Sequence, residues 1–314
     1  MATDTLLAPS DCICVGDCRT VLRSVEEDYF SACITDPPYN YEFVGRDWNA
    51  PEIERRIGRV EHSKTLVKNI PYGSGLAGGV RNKRWYDRIR ENISEYQAWT
   101  AEWAAEVFRT LRPGAFALVF NSTRTIAHVQ VALESVGFYS RDILVYRRHA
   151  GIPKGLNAAR KLQSLGDEQW QAWEGWHSCL RNEWEAIYVA QKPLLGNYLT
   201  TIREHKVGLL NAEMNGDGFL SNILEGFRKD ECDAVDGHCT VKPLALMRHL
   251  VKLTVPHNDN HVVLDPFAGT GTTCVAAKEL GHRYVGIEIN AQYAALAESR
   301  ATSPSSGQQR LFTE

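Results

Sequence analysis

Two short motifs restrict what this chain of 314 residues can fold into more than any other feature. Asp36-Pro37-Pro38-Tyr39 closes the apolar run Ser31-Ala32-Cys33-Ile34-Thr35, and Asp265-Pro266-Phe267-Ala268-Gly269-Thr270-Gly271 closes His261-Val262-Val263-Leu264. Each run reads as a buried strand, which puts Asp36 and Asp265 at strand carboxyl ends, where open α/β sheets bind ligands. Two consecutive prolines donate no N–H to a neighbouring strand, so pairing stops there and the carbonyls stay free. A plain strand-to-turn junction is the other reading of Asp36 to Tyr39.

The second motif precedes Cys274-Val275-Ala276-Ala277-Lys278-Glu279-Leu280, a helical pattern. Strand, glycine turn and helix together bring backbone close to a ligand at a helix N-terminus. The next strand, Arg283-Tyr284-Val285-Gly286-Ile287, ends in Glu288. In dinucleotide folds an acidic side chain at this place bonds ribose hydroxyls. No lysine follows Gly271 before Lys278, so this is not a Walker loop, and the third glycine of a dinucleotide fingerprint is replaced by Cys274. A ribose-bearing methyl donor without phosphates fits better than NAD or ATP. A tight turn that holds no ligand is the alternative.

The length allows one large domain, or one with an inserted recognition lobe. No apolar stretch reaches a membrane span and no basic-then-apolar signal opens the chain, so a cytoplasmic location is expected. Eight cysteines do not suggest a secreted disulfide frame. Cys12, Cys14, Cys18 and Cys33 read as small buried apolar residues. Cys232, His238 and Cys239 lie close together without a Cys-x-x-Cys pair, so no metal is expected.

The net charge of −3 argues against a nucleic-acid partner until its distribution is considered. Between Arg55 and Arg90 ten basic residues face two acidic ones, so the rest of the chain carries −11. Such an excess suits a phosphate footprint, and Tyr72, Trp85 and Tyr86 interleave with it and can stack on a displaced base. Gly73-Ser74-Gly75 and Gly78-Gly79 suit a mobile loop, solvated or closing over DNA. Elsewhere the patterns predict strands at 11–16, 115–120, 141–147 and 185–191. Helices are predicted at 19–25, from a cap at Ser94 to Arg109, at 128–135, 244–253 and 291–300. Pro113-Gly114 reads as a turn. Trp99 and Trp103, and the later Trp170, Trp173, Trp176 and Trp184, read as core. Ser303-Pro304-Ser305-Ser306-Gly307 reads as a flexible linker. The strands and intervening helices indicate a doubly wound, Rossmann-like α/β sheet of seven strands.

These residues resemble the DNA amino-methyltransferases, which methylate adenine at N6 or cytosine at N4, over most of the chain. Asp36 to Tyr39 resembles their catalytic motif, Asp265 to Gly271 their S-adenosylmethionine motif, and Val15-Gly16-Asp17-Cys18 the strand end that reaches the cofactor's adenine. His238-Cys239-Thr240-Val241-Lys242-Pro243 is similar to their His-x-x-x-Lys-Pro segment, with Val241 where many relatives carry glutamine. Catalytic motif first and cofactor motif last is the family's circularly permuted β arrangement. It implies strand order 3-2-1-4-5-7-6, with strand 7 antiparallel and the chain's first strand as number 3. It also implies a catalytic half at 1–147 with a mobile basic loop at about 49–92. A target-recognition lobe at 148–235, which includes an edge strand at 184–191, would follow. A cofactor half at 236–301 and a flexible tail at 302–314 would complete the chain.

The resemblance implies roles too. Asp36 and the Pro37 carbonyl would accept hydrogen bonds from the amino group, beside Pro38, and Tyr39 would stack on a flipped-out base. Asp265, Pro266, Gly269, Gly271 and Lys242 would belong to the cofactor set. Phe267 would pack near the cofactor, Glu288 would bind its ribose and Asp17 its adenine. Arg81, Lys83, Arg84 and Arg88 would contact DNA. Asp36 favours adenine, because many cytosine-N4 enzymes of this arrangement begin the motif with serine. Cytosine-N4 transfer is the alternative, and a catalytically silent DNA-binding protein of the same fold a further one. Ribosomal-RNA and protein-glutamine methyltransferases place an Asn-Pro-Pro-Tyr motif after the cofactor motif, against the order here. The implied partners are double-stranded DNA and a cognate restriction endonuclease, for a monomer or homodimer. Gln308-Gln309-Arg310-Leu311-Phe312 resembles a sliding-clamp motif, with Gln308, Leu311 and Phe312 at its main positions. Folding of Leu311 and Phe312 onto the enzyme itself is the other reading.

Overall fold

The computed structural model describes residues 9–39, 83–148, 155–216, 218–229, 233, 241–257 and 260–303, with backbone alone at 83–89. They form one eight-stranded sheet. Its strands are β1 (Cys12–Val15), β2 (Phe30–Thr35), β3 (Leu111–Asn121), β4 (Tyr139–Arg147), β5 (Trp184–Gln191), β6 (Ile223–Leu224), β7 (Val262–Asp265) and β8 (Arg283–Glu288). The order is β1-β8-β7-β2-β3-β5-β4-β6. From β1 to β3 neighbours are parallel, and β5 runs antiparallel to β3. With β1 as number 3 this is the expected 3-2-1-4-5-7-6, plus one strand. The addition, β6, pairs with β4 through Val145↔Ile223 and Tyr146↔Leu224. Two residues carry too little alternation to be read as a strand from sequence.

The chain divides into two compact units, Met1–Tyr39 with Gln97–Arg147 and Glu185–Glu314, and Asn40–Tyr96 with Arg148–Trp184. The segment expected as a lobe at 148–235 is therefore divided after Trp184. In the first unit every residue of β2 is buried, which explains its small and mostly apolar residues, since central parallel strands are covered on both faces. Helix Leu244–Thr254 adds Leu244, Leu246, Met247, Leu250, Val251 and Leu253 to the core. Burial of each of these large side chains is worth roughly 2 kcal/mol of transfer free energy.

Pro113-Gly114, expected to turn the chain, instead lies inside β3. Gly114 takes φ 82°, and the β2–β3 register shifts between Phe30 and Ala32, so a bulge absorbs both residues. The next helix also differs, running Lys83–Thr110 with Ser94 in its interior. No glycine or proline interrupts this stretch, and the Ser94 hydroxyl bonds back to the Arg90 carbonyl at 3.3 Å. Among the described residues no helix is long and apolar enough to cross a membrane.

In the second unit, helix Ala158–Ser164 is capped by Asn157, whose side chain accepts from the Arg160 N–H at 2.9 Å. Trp173 and Trp176 meet edge to face at 6.1 Å, yet they are 47% and 63% exposed. The expectation of core tryptophans fails here because only Ala159 is buried within 155–184. Leu165 and Leu180 of the same stretch are themselves exposed and do not cover the rings.

Candidate active site

β2 and β7 are parallel neighbours, with Ala32↔Val263 and Cys33↔Leu264 in register, so both motif loops leave the same end of the sheet side by side. Thr35 Oγ1 donates to Asp265 Oδ1 at 2.7 Å, and Thr273 Oγ1 donates to Asp265 Oδ2 at 2.6 Å. The Phe267 N–H adds a third donor at 3.1 Å. Asp265 is buried, and burial lifts its pKa from 3.8 to about 6 against the pull of these three hydrogen bonds; nearby Asp36 adds to the rise. A carboxylate so committed braces the two loops together.

Asp36 follows Thr35 directly. Its Oδ1 accepts a short hydrogen bond from the Tyr39 hydroxyl, and its Oδ2 lies 2.5 Å from Lys242 Nζ. The ammonium also donates to the Tyr39 oxygen at 3.1 Å and pairs with Glu185 Oε2 at 3.3 Å. It sits 5.4 Å from the Tyr39 ring centroid and 4.9 Å from that of Phe120. Burial opposes the Lys242 charge, but Asp36 and Glu185 more than offset it and hold its pKa above the usual lysine value. Lys242, expected beside the cofactor, thus has its ammonium on the catalytic motif. Sequence reasoning missed Glu185. The available signal was a carboxylate at the head of the apolar run Ala186 to Ala190, where a buried charge needs a partner.

One strand further, Gly269 and Gly271 take φ 53° and 80°, left-handed values that favour glycine. A Cβ on Gly271 would lie 2.9 Å from the Ala297 Cβ. Helix Thr272–Glu279 begins there without a side-chain cap. The Gly269 N–H donates to Glu288 Oε2 at 2.9 Å, and the Asn290 N–H to Oε1 at 2.8 Å. Burial raises the Glu288 pKa against these bonds. Each carboxylate oxygen has two lone pairs, so these bonds leave acceptor capacity for further donors. Partly exposed Phe267 packs against Trp99 and Trp103, with centroids 5.6 and 5.4 Å away, and Pro266 is buried. Trp103 Nε1 and Thr100 Oγ1, one helical turn apart, are buried with no hydrogen-bond partner among the described residues.

Asp17 stands at the end of β1 beside Glu288, since Val15 pairs with Glu288 and the Gly16 N–H donates to the Glu288 carbonyl at 3.0 Å. Its carboxylate caps helix Cys18–Arg23 through the Arg19 N–H at 2.9 Å and meets the Arg19 guanidinium at 2.6 Å. The Arg19 contacts hold its pKa below the usual value. The two motifs, Lys242, Asp17 and Glu288 therefore converge on the carboxyl edge of β1, β8, β7 and β2. Arg81 lies outside the described residues. Lys83, Arg84 and Arg88 fall on the first turns of helix Lys83–Thr110, where the backbone alone is described. Cys232, His238, Cys239, Gln308, Leu311 and Phe312 also lie outside the described residues.

The family model described as DNA methylase matches residues 30–299. The type II methyltransferase M.HindIII of Haemophilus influenzae (strain ATCC 51907 / DSM 11121 / KW20 / Rd) is 30% identical over 294 residues, covering 89% of this chain and 91% of that protein. The solved M1.HpyAVI–SAM complex superposes with TM-score 0.54 at 20% identity, covering 93% of this chain and 99% of that one. PvuII DNA methyltransferase, described as cytosine-N4-specific, gives 0.58 at 13% identity, with 94% and 86% covered.

Proposed function

Since the chain belongs to the DNA methylase family, we propose that it transfers a methyl group from S-adenosylmethionine to the N6 amino group of adenine in a specific duplex sequence. The observation that supports this reading is the Thr35–Asp265 bond, which ties the strand leading into Asp36 to the strand leading into the glycine turn. Adenine is favoured by Asp36 at the head of the motif, and cytosine-N4 transfer is the second reading.

The residues present fit the cofactor. The left-handed turn at Gly269 and Gly271 leads into helix Thr272–Glu279, whose start has no side-chain cap and suits a ligand carboxylate. Glu288 keeps acceptor capacity for ribose hydroxyls, and Phe267 offers an aromatic face. Asp17 would reach the adenine ring by turning from Arg19. When bound, the cofactor supplies an electrophilic methyl carbon on a sulfonium.

An exocyclic amino nitrogen is a poor nucleophile, because its lone pair is delocalised into the ring. Asp36 and the Pro37 carbonyl would each accept one of its N–H bonds, drawing the nitrogen toward a tetrahedral shape and localising the lone pair. Tyr39 would stack on the base, which must leave the duplex because its amino group is otherwise paired. Asp36 would accept the surplus proton after transfer. A cognate restriction endonuclease and a cytoplasmic location complete the proposal. Sequencing DNA from cells that express the protein, with modified bases called, tests it. N6-methyladenine at one recurrent site is expected; N4-methylcytosine or unmodified DNA would reject the adenine reading.

A further inference from the structure

We propose that Glu185 is a positioning residue that controls Asp36 through Lys242, preserving the acceptor strength with which the carboxylate receives the target amino group. The inference rests on the reading of Asp36 as that acceptor. Asp36 lies on the loop after β2 and Glu185 near the head of β5, yet both reach the same ammonium, at 2.5 and 3.3 Å. Lys242 and Glu185 are each only 12% exposed in their side chains, so water screens this triad poorly. One cation between two anions leaves a net charge of −1. With Lys242 alone, Asp36 would be neutralised as a closed pair and would accept weakly from a base. With Glu185 alone, two carboxylates would share a secluded site without a counter-ion, and one would take up a proton. The triad avoids both states.

Geometry supports the same division of work. Lys242 holds Oδ2 of Asp36 and Tyr39 holds Oδ1, so the carboxylate is fixed in rotation from both sides. Lys242 also donates to the Tyr39 oxygen and stands over its ring, which ties the stacking residue to the same ammonium. Among the described residues, the charged or titratable groups acting on Asp36 include Tyr39 on its own loop, Lys242 before helix Leu244–Thr254, and Asp265 on β7, with Glu185 acting through Lys242.

The test compares pH–rate profiles of single-turnover methyl transfer for Glu185→Gln and Lys242→Met, after the recognition site has been found. Cofactor affinity and melting temperature are measured on the same proteins. Removing the cation should move the acidic limb to higher pH by roughly one unit or more, and removing the second anion should move it to lower pH. Affinity for S-adenosylmethionine should stay within about threefold of wild type, because neither change touches the glycine turn. Opposite shifts support the triad. Shifts in one direction, or none, with cofactor affinity intact would overturn it. If Lys242→Met fails to fold, the direction of the Glu185→Gln shift decides alone. Wild-type protein that methylates no DNA would instead remove the functional reading and this inference with it, recognisable because no limb exists to move.

Discussion

Thr35 and Asp265 are 230 residues apart in sequence and joined by a 2.7 Å hydrogen bond inside the sheet. The first residue belongs to the strand that delivers Asp36, the second to the strand that delivers the glycine turn. Replacing Thr35 with Val keeps the shape and removes the donor. The change should cost about 1–3 kcal/mol, since a buried acceptor loses a partner. It should lower both cofactor affinity and turnover. A urea midpoint and affinity equal to wild type would show that the bond does not couple the loops.

The buried Asp265 carboxyl carries a pH signature. Its folded pKa of about 6 lies above its ordinary 3.8, so the folded state binds the proton more tightly. This contribution to stability is full below pH 3.8 and is lost as pH rises through about 6, by an amount of order 3 kcal/mol. Asp265→Asn should therefore flatten the fall in stability between pH 4 and 6. Chemical denaturation across that range measures it, and parallel curves for the two proteins would refute the assignment.

Asp36→Ala should abolish methyl transfer, at a cost of about 10²-fold or more, while S-adenosylmethionine still binds. Calorimetric titration beside a turnover assay separates the two. Retained turnover would remove Asp36 from the chemistry.

Gly269→Val should act in the opposite order, weakening cofactor binding before anything else. At φ 53° a β-branched residue is strained by about 1–2 kcal/mol or more, and its side chain would block close backbone approach. Unchanged affinity would mean that the ligand does not sit on this turn.

Alanine at Arg81, Lys83, Arg84 and Arg88 together should weaken DNA binding across all sequences. It should also reduce the salt slope by as much as about one for each phosphate that is no longer neutralised. Binding measured from low to moderate salt reads this directly, and an unaltered slope would return the stretch to an ordinary solvated loop.

The sheet is legible in the sequence because its central strands are buried on both faces and therefore read as mostly apolar runs. The motif ends are legible because proline and glycine mark them. The sequence pattern shortens Lys83–Thr110, since Ser94 looks like a cap, but a hydroxyl can also bond back within a helix. Trp173 and Trp176 mislead because residue type alone does not say whether enough apolar neighbours exist to cover a ring. The role of Glu185 depends on a lysine 57 residues later in the chain, a pairing that no local pattern encodes. Lys242 stands out in its motif, but the motif does not tell which of two neighbouring loops its ammonium joins.

The pairing of β1 with β8, Cys12 against Val285 and Val15 against Glu288, has a consequence for biosynthesis. During translation the strand beside Asp17 waits unpaired until almost three hundred residues have been made, and β2 waits almost as long for β7. Contacts so distant along the chain are slow to close. A growing polypeptide thus holds its half of the base site long before it can hold a methyl donor. Activity should appear only once β8 has joined the sheet, and the exposed edges of β1 and β2 are where a nascent chain would need protection from aggregation.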